Sequence, residues 1–292
     1  MQPIQPILLT TSRAVLLSKL SSVTQKPTLA VVLGSGWSEV FDDLTPLAVV
    51  SYQDIPAMAE EMNAGHAGEL RVYEHRGVCF LAWCGRVHYY QRQEATPLVA
   101  PIWLSHALGV RNFLLTNAAG GIGTFDVGDL ALITGHDSRI PSVLLGHNAA
   151  IAELGFIRHA SMSSAYHPEL SNLLYAAMQR VQDGAQHKAT YMAMVGPEYE
   201  EPTQIALLRE QGFGLVGMST VPEVVAAASL SRIATSGQLC RVAALSCVTN
   251  VAAQAGVPLS HEEVQAALTM ARPRASATLL RFIELLGAEG AE

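Results

Sequence analysis

Short apolar runs that stop abruptly at glycine, serine, threonine or asparagine recur along this chain. Residues 28–33 stop at Gly34-Ser35-Gly36, residues 113–116 at Asn117-Ala118-Ala119-Gly120-Gly121, and residues 242–248 at Thr249-Asn250. Apolar runs without alternation are what strands covered on both faces require. Further strands are expected at 78–83, 130–134, 191–195 and 215–218, and helices at 11–20, 97–108, 168–183, 203–211, 261–268 and 276–286. Ser260 with Glu263 three residues on has the spacing of a capping box for the helix beginning at 261. Alternating strands and helices predict an α/β fold, a twisted mixed β-sheet flanked by helices. No repeat or linker divides the chain, so residues 1–292 are expected to form a single domain. In such folds ligands bind beyond the carboxyl ends of the strands, where these polar clusters fall.

Composition narrows the class. Half the residues are hydrophobic and 15% are charged, enough to bury a large core. The net charge is −7 with no Lys/Arg block, so no nucleic-acid track is expected, although a local nest of donors can still hold an anion. Cys79, Cys84, Cys240 and Cys247 lie in or beside apolar runs and form no Cys-x-x-Cys pair. They read as buried free thiols in a reducing, cytoplasmic compartment, without disulfide or zinc. Residues 1–20 make a poor signal peptide, and no run approaches the roughly 18 clean apolar residues of a membrane span.

Two segments suggest a binding site. Gly196-Pro197-Glu198-Tyr199-Glu200 and Met218-Ser219-Thr220-Val221-Pro222-Glu223-Val224 combine an aromatic face, a carboxylate, a soft apolar side chain and small hydroxyls. A nucleoside needs that mixture: a flat surface for the base, an acceptor for its N–H groups and an apolar wall for the sugar. Arg86 and His88, two apart after a strand, share a face in extended backbone and could hold phosphate, or be a surface arginine and a packed histidine. Gly34-Ser35-Gly36 offers backbone donors and a hydroxyl, or is a simple turn; it is too short for a P-loop and lacks that motif's lysine. The tiny side chains at 117–121 admit a ligand to the backbone, or pack tightly. His66, flanked by Gly65 and Ala67-Gly68, suits a ligand or a turn equally. His136, His147, His159 and His167 are scattered without metal spacing, and no Gly-x-Ser-x-Gly elbow occurs.

Taken in order, Gly34-Ser35-Gly36, Gly65-His66-Ala67-Gly68, Gly85-Arg86-x-His88-x-Tyr90, Asn117 to Gly121, Gly196-Pro197-x-Tyr199-Glu200, Gly217 to Val224, Thr249-Asn250 and His261-Glu262-Glu263-Val264 resemble the successive motifs of the low-molecular-mass, trimeric purine nucleoside phosphorylases. The resemblance implies that Ser35, Arg86, His88, Ala118 and Ser219 bind phosphate, with His66 at the mouth of that site. It implies that Tyr199, Glu200, Met218 and Asn250 bind the purine, and that Tyr90, Met218 and His261 bind the ribose. Asn250, Glu200 and His88 would carry the catalysis. Four departures stand out. Gln91 replaces a frequent acidic residue, His136-Asp137 reverses the usual order, and His159 stands where a phenylalanine commonly reaches the adjacent subunit's ribose, with Phe156 as a substitute wall. The segment 228–241 is longer than usual and lacks an Arg-His pair.

The implied activity is reversible phosphorolysis of 6-oxopurine ribonucleosides and deoxyribonucleosides (inosine and guanosine, extending to xanthosine) to free base and pentose 1-phosphate. Phosphate is a co-substrate, no metal or cofactor is needed, and the assembly is a homotrimer. Two alternatives stand beside it: a methylthioadenosine phosphorylase, disfavoured by Asn250 and His261, and an inactive nucleoside-binding or scaffolding protein.

Overall fold

Backbone buried on both faces forms the centre of the molecule, as the uninterrupted apolar runs require. The structure is a computed structural model that describes residues 1–59, 67–181, 187–230, 239–252 and 261–289, and of His261 the backbone alone. The first half of the chain contains α1 (Pro6–Lys19), β1 (Leu29–Leu33), β2 (Ala48–Ser51), β3 (Glu69–His75), β4 (Val78–Cys84), α2 (Tyr89–Arg92), α3 (Ala95–Ala107) and β5 (Asn112–Gly121). Then come β6 (Leu130–Ser138), α4 (Ala149–Glu153), α5 (Pro168–Val181), β7 (His187–Ala193) and α6 (Pro202–Glu210). β8 (Leu215–Gly217), α7 (Val221–Leu230), β9 (Arg241–Val251) and α8 (His261–Glu289) complete it.

The strands form one nine-stranded mixed sheet in the order β2-β3-β4-β1-β5-β8-β7-β6-β9. Every residue of β1 and β4 is buried. Strand β9 pairs in parallel with β5 and antiparallel with β6, so β5, β8, β7, β6 and β9 close into a ring. Side chains of α1, α3 and α7 belong to one hydrophobic cluster and those of α5 and α8 to another, which places helices on both faces of the sheet.

Each expected strand is present with shifted ends, and five elements, β2, β3, α2, α4 and α7, were not legible in the sequence. β2 lies at the sheet edge, and β3 carries Glu69, Arg71, Glu74 and His75, charges that suit an edge region and blur the apolar signal. α7 begins at Val221-Pro222, directly after the hydroxyls of Ser219 and Thr220. Two expectations need correction. The run 117–121 does not end its strand: β5 continues through Gly121, because Asn117 to Gly121 pair with β9 and Gly120 and Gly121 also pair with β8. The two C-terminal helices are one 29-residue helix with Pro273 inside it. Proline ordinarily interrupts a helix, but the buried stripe Val264, Ala267, Leu268, Ala271, Ala275, Leu279, Phe282 passes straight across Pro273, and that packing carries the helix through. Ser260, the expected cap of α8, lies outside the described residues.

Cys79, Cys84 and Cys247 are buried, Cys240 is partly so, and none of the four is in a disulfide. No helix among the described residues is long and apolar enough to cross a membrane.

Candidate active site

One cavity opens at the carboxyl ends of β1, β4, β5 and β9. Ser35, Arg86, His88, Tyr90, Ala118, Tyr199, Glu200, Met218, Ser219 and Asn250 all line it, so the structure brings together ten residues picked out from distant parts of the sequence.

At one end lies a buried arginine. Backbone after β4 remains extended, and Val87 turns into the core while Arg86 and His88 on either side face the cavity. Arg86 is only 2% exposed. Its Nη1 donates to Ser219 Oγ at 2.9 Å and Thr220 Oγ1 at 3.2 Å, and its Nε stands 3.1 Å from Glu223 Oε1. The Nε–Glu223 contact is ionic rather than a well-aligned hydrogen bond, and Nη2 is buried without a hydrogen-bond partner among the described residues. A guanidinium held on one flank with a free, desolvated nitrogen on the other is a ready receptor for an oxyanion. Ser219 and Thr220 also lead directly into the N-terminus of α7, where the helix dipole favours negative charge.

The hydroxyls around Arg86 are themselves fixed. Asn117 Nδ2 donates to Thr220 Oγ1 at 2.8 Å, and Ser246 Oγ donates to Asn117 Oδ1 at 2.7 Å. Tyr191 OH accepts the Ser219 N–H at 3.3 Å, and burial pushes that phenol up to about 12, which keeps it neutral. Trp37 Nε1 donates to the Asn117 carbonyl at 3.1 Å, tying the loop that carries Ser35 to β5. His88 precedes α2: its carbonyl accepts the Gln91 N–H at 3.1 Å, while its own backbone N–H donates to Gln91 Oε1 at 2.6 Å. Gln91 therefore fixes the backbone of His88, a task a carboxylate could equally perform. The His88 and Tyr90 rings stack with centroids 5.2 Å apart.

At the other end, a β-bulge shapes the site. The β5–β9 register shifts between Ala119 and Gly120, so Gly120 faces Asn250 and both Thr249 and Asn250 line the cavity. A regular strand would turn consecutive side chains to opposite faces. A Cβ at Gly120 would lie 3.2 Å from Asn250 Nδ2, so glycine leaves the amide its room. Thr249 Oγ1 donates to Asn250 Oδ1 at 3.1 Å, which leaves the amide N–H groups for a ligand. Burial raises the carboxyl of Glu200 above its ordinary value, and its Oε1 is buried with no hydrogen-bond partner among the described residues. Tyr199 is 42% exposed at the rim. Gly196 has φ +71°, and a Cβ there would meet Met218 Sδ at 2.5 Å and Tyr90 Cδ1 at 2.9 Å, so this glycine lets the 196–200 loop close over both side chains.

His66 lies outside the described residues, and of His261 only the backbone is described. His159 is exposed and does not line the cavity of its own chain. Phe156 is 1% exposed and packed in the core, so it cannot be the substitute wall. His147, whose Nε2 lies 2.7 Å from the Phe156 carbonyl, helps hold that turn. His136 hydrogen-bonds Tyr166 OH at 3.1 Å through Nδ1, away from the cavity.

Asn117, Thr220, Glu223 and Thr249 belong to the motif segments, and their contacts with the site emerge only in the structure. One signal was available: Thr220-x-x-Glu223 has the capping-box spacing, which marks the start of α7 and places a carboxylate beside Ser219. Among the described residues no group of three or more His, Cys, Asp or Glu side chains could hold a metal ion.

Comparison with known proteins agrees with this geometry. The model of the phosphorylase superfamily matches residues 28–284. Purine nucleoside phosphorylase 1 of Bacillus subtilis (strain 168) is 37% identical over 248 residues, covering 83% of this chain and 86% of the relative. The solved purine nucleoside phosphorylase of Schistosoma mansoni in complex with inosine superposes with a TM-score of 0.82 at 25% identity, covering 95% of this chain and 96% of the other. The same enzyme in complex with adenosine superposes with a TM-score of 0.81 at 26% identity, covering 94% and 96%. The chain therefore belongs to the phosphorylase superfamily and, within it, to the purine nucleoside phosphorylases.

Proposed function

We propose that this cavity carries out reversible phosphorolysis of 6-oxopurine ribonucleosides and deoxyribonucleosides, yielding free base and pentose 1-phosphate. Phosphorolysis of purine nucleosides is the activity of the family; the preference for a 6-oxo group is read from this chain's own residues. The observation that carries it is a pair of buried groups in one cavity that have no hydrogen-bond partner among the described residues: Arg86 Nη2, a donor, and Glu200 Oε1, an acceptor. Phosphate answers the first and a purine N1–H the second.

In this scheme Arg86, Ser219, Ser35, His88 and the backbone at Ala118 hold phosphate below the sugar, with His66 at the mouth. Tyr199 and Met218 flank the base, and Tyr90, Met218 and His261 contact the ribose. The glycosidic bond stretches first, leaving positive charge on the sugar, and its electron pair passes to the base. The Asn250 amide donates to O6 and N7, where that charge collects, and Glu200 accepts from N1–H. A phosphate oxygen then forms the new bond to C1′. Since phosphate is already a nucleophile, positioning and electrostatics account for most of the acceleration.

The test is base release from inosine, guanosine, xanthosine, adenosine and methylthioadenosine, each with and without phosphate. The expected result is phosphate-dependent release, fastest from the 6-oxopurines. Release without phosphate would indicate a nucleosidase, preference for methylthioadenosine the sister activity, and no release at all a binding protein.

Residues 1–292 are proposed to act as one domain within a cytoplasmic homotrimer. The exposed His159, outside its own cavity, supports a role across a subunit edge, where an imidazole can pack against ribose and donate a hydrogen bond. Sedimentation checks the trimer; a fully active monomer defeats it. His159→Phe should change nucleoside KM and leave phosphate KM nearly constant, and an unaffected nucleoside KM removes His159 from the site.

A further inference from the structure

Glu223 has no part in the scheme above, yet it is among the most deeply placed charged groups in the molecule, 4% exposed beside an arginine that is 2% exposed. It lies in the first turn of α7. The first turn of α7 sets its position before Arg86 is considered, and the nearby backbone N–H groups of Thr220 and of Glu223 itself favour its charged form. Thr220 in turn is anchored by Asn117 Nδ2 at 2.8 Å and holds a left-handed backbone, φ +69°. Arg86 arrives from the loop after β4, an independent part of the chain, and sets its Nε 3.1 Å from Glu223 Oε1. The guanidinium is planar, so restraining Nε and Nη1 dictates where Nη2 points. Among the described residues Nη2 has no hydrogen-bond partner.

We propose that Glu223 is a positioning residue for phosphate: through its contact with Arg86 Nε it locks the guanidinium so that Nη2 faces the anion. This rests on the phosphorolysis proposed above, which supplies the anion. Without Glu223 the fork would keep only its hydroxyl contacts on the Nη1 side and could rotate about its stem. The phosphate site would then lose affinity, while the purine end, built from Glu200, Thr249 and Asn250 on other segments, would not.

The discriminating experiment compares Glu223→Ala, Glu223→Gln and Glu223→Asp in the intact protein. KM for phosphate and for inosine is measured for each, and inorganic phosphate alone is titrated by calorimetry. Glu223→Ala should raise phosphate KM and the phosphate dissociation constant about tenfold or more, the scale of one charge-assisted contact, with inosine KM changed by less than about twofold. Glu223→Gln keeps the shape and an acceptor oxygen, and should restore phosphate KM to within about threefold of the parent. Glu223→Asp draws the carboxylate back by one methylene and should resemble the alanine variant; with Gln it decides the matter if the alanine variant does not fold. The proposal is overturned if phosphate affinity is unchanged in folded Asp and Ala variants, if inosine and phosphate KM rise together, or if Gln fails to restore binding. Failure of the parent protein to release base from any nucleoside would instead overturn the activity, and the calorimetric titration distinguishes the two.

Discussion

Replacing Asn250 by aspartate exchanges an amide N–H for a carboxylate oxygen with almost no change of shape. Thr249 Oγ1 donates at 3.1 Å to Asn250 Oδ1, and aspartate offers that hydroxyl the same acceptor, so the side chain should keep its place on β9. What changes is the atom near Gly120, where Nδ2 lies 3.2 Å from the position a Cβ would occupy. A 6-oxopurine then loses a hydrogen bond and meets an oxygen where it needs a donor, at a cost of about 1–3 kcal/mol in a desolvated site. A 6-aminopurine meets an acceptor for its exocyclic N–H instead. The ratio of kcat/KM for inosine to that for adenosine should therefore fall by about 10- to 100-fold. The assay is initial-rate phosphorolysis of both nucleosides by parent and variant at saturating phosphate, with circular dichroism to confirm folding. An unchanged ratio, or an equal fall for both substrates, would refute the donor role of Asn250.

Other perturbations separate the two ends of the cavity. Arg86→Ala removes Nη2, which has no hydrogen-bond partner among the described residues, and should weaken phosphate by about 1.5–3 kcal/mol, seen as a higher phosphate KM. It also strands Glu223 in the core, so stability should drop by about 3–5 kcal/mol in denaturant titration; a folded variant with unaltered phosphate KM removes Arg86 from the site. Gly196→Ala forces a side chain into a left-handed backbone, costing about 1–2 kcal/mol, and presses on Met218 and Tyr90. Nucleoside KM should rise while phosphate KM holds, and no change in nucleoside KM would exclude that loop from the sugar and base contacts. For pH, burial raises the Glu200 pKa from its ordinary 4.5, and the ionised form is the stronger acceptor for N1–H. Activity on inosine should therefore decline as pH falls through that raised value, sooner than an ordinary carboxylate would dictate. Glu200→Gln should lose this acid limb while the contribution of phosphate itself remains, and identical acid limbs in the two proteins would exclude Glu200.

The sequence by itself determined the class of fold and most of the cavity wall. Apolar runs without alternation can be covered only from both sides, which forces strands between helices, and Arg86-x-His88 alternation survives folding because period two is a property of extended backbone. Motif order along the chain sufficed to name the family, since the same short segments return to the carboxyl ends of the same strands. The sequence could not close the ring of β5, β8, β7, β6 and β9, because pairing between distant strands is decided by which edges meet in three dimensions. Nor could it carry α8 through Pro273, where local propensity argues for a break and a buried stripe on the sheet overrides it. The bulge that turns both Thr249 and Asn250 into the cavity is a mismatch between two strands and belongs to neither alone. The pairing of Arg86 with Glu223 is of the same kind: each charge is visible in the chain, but only tertiary packing brings them to 3.1 Å and removes the water that would otherwise weaken their contact.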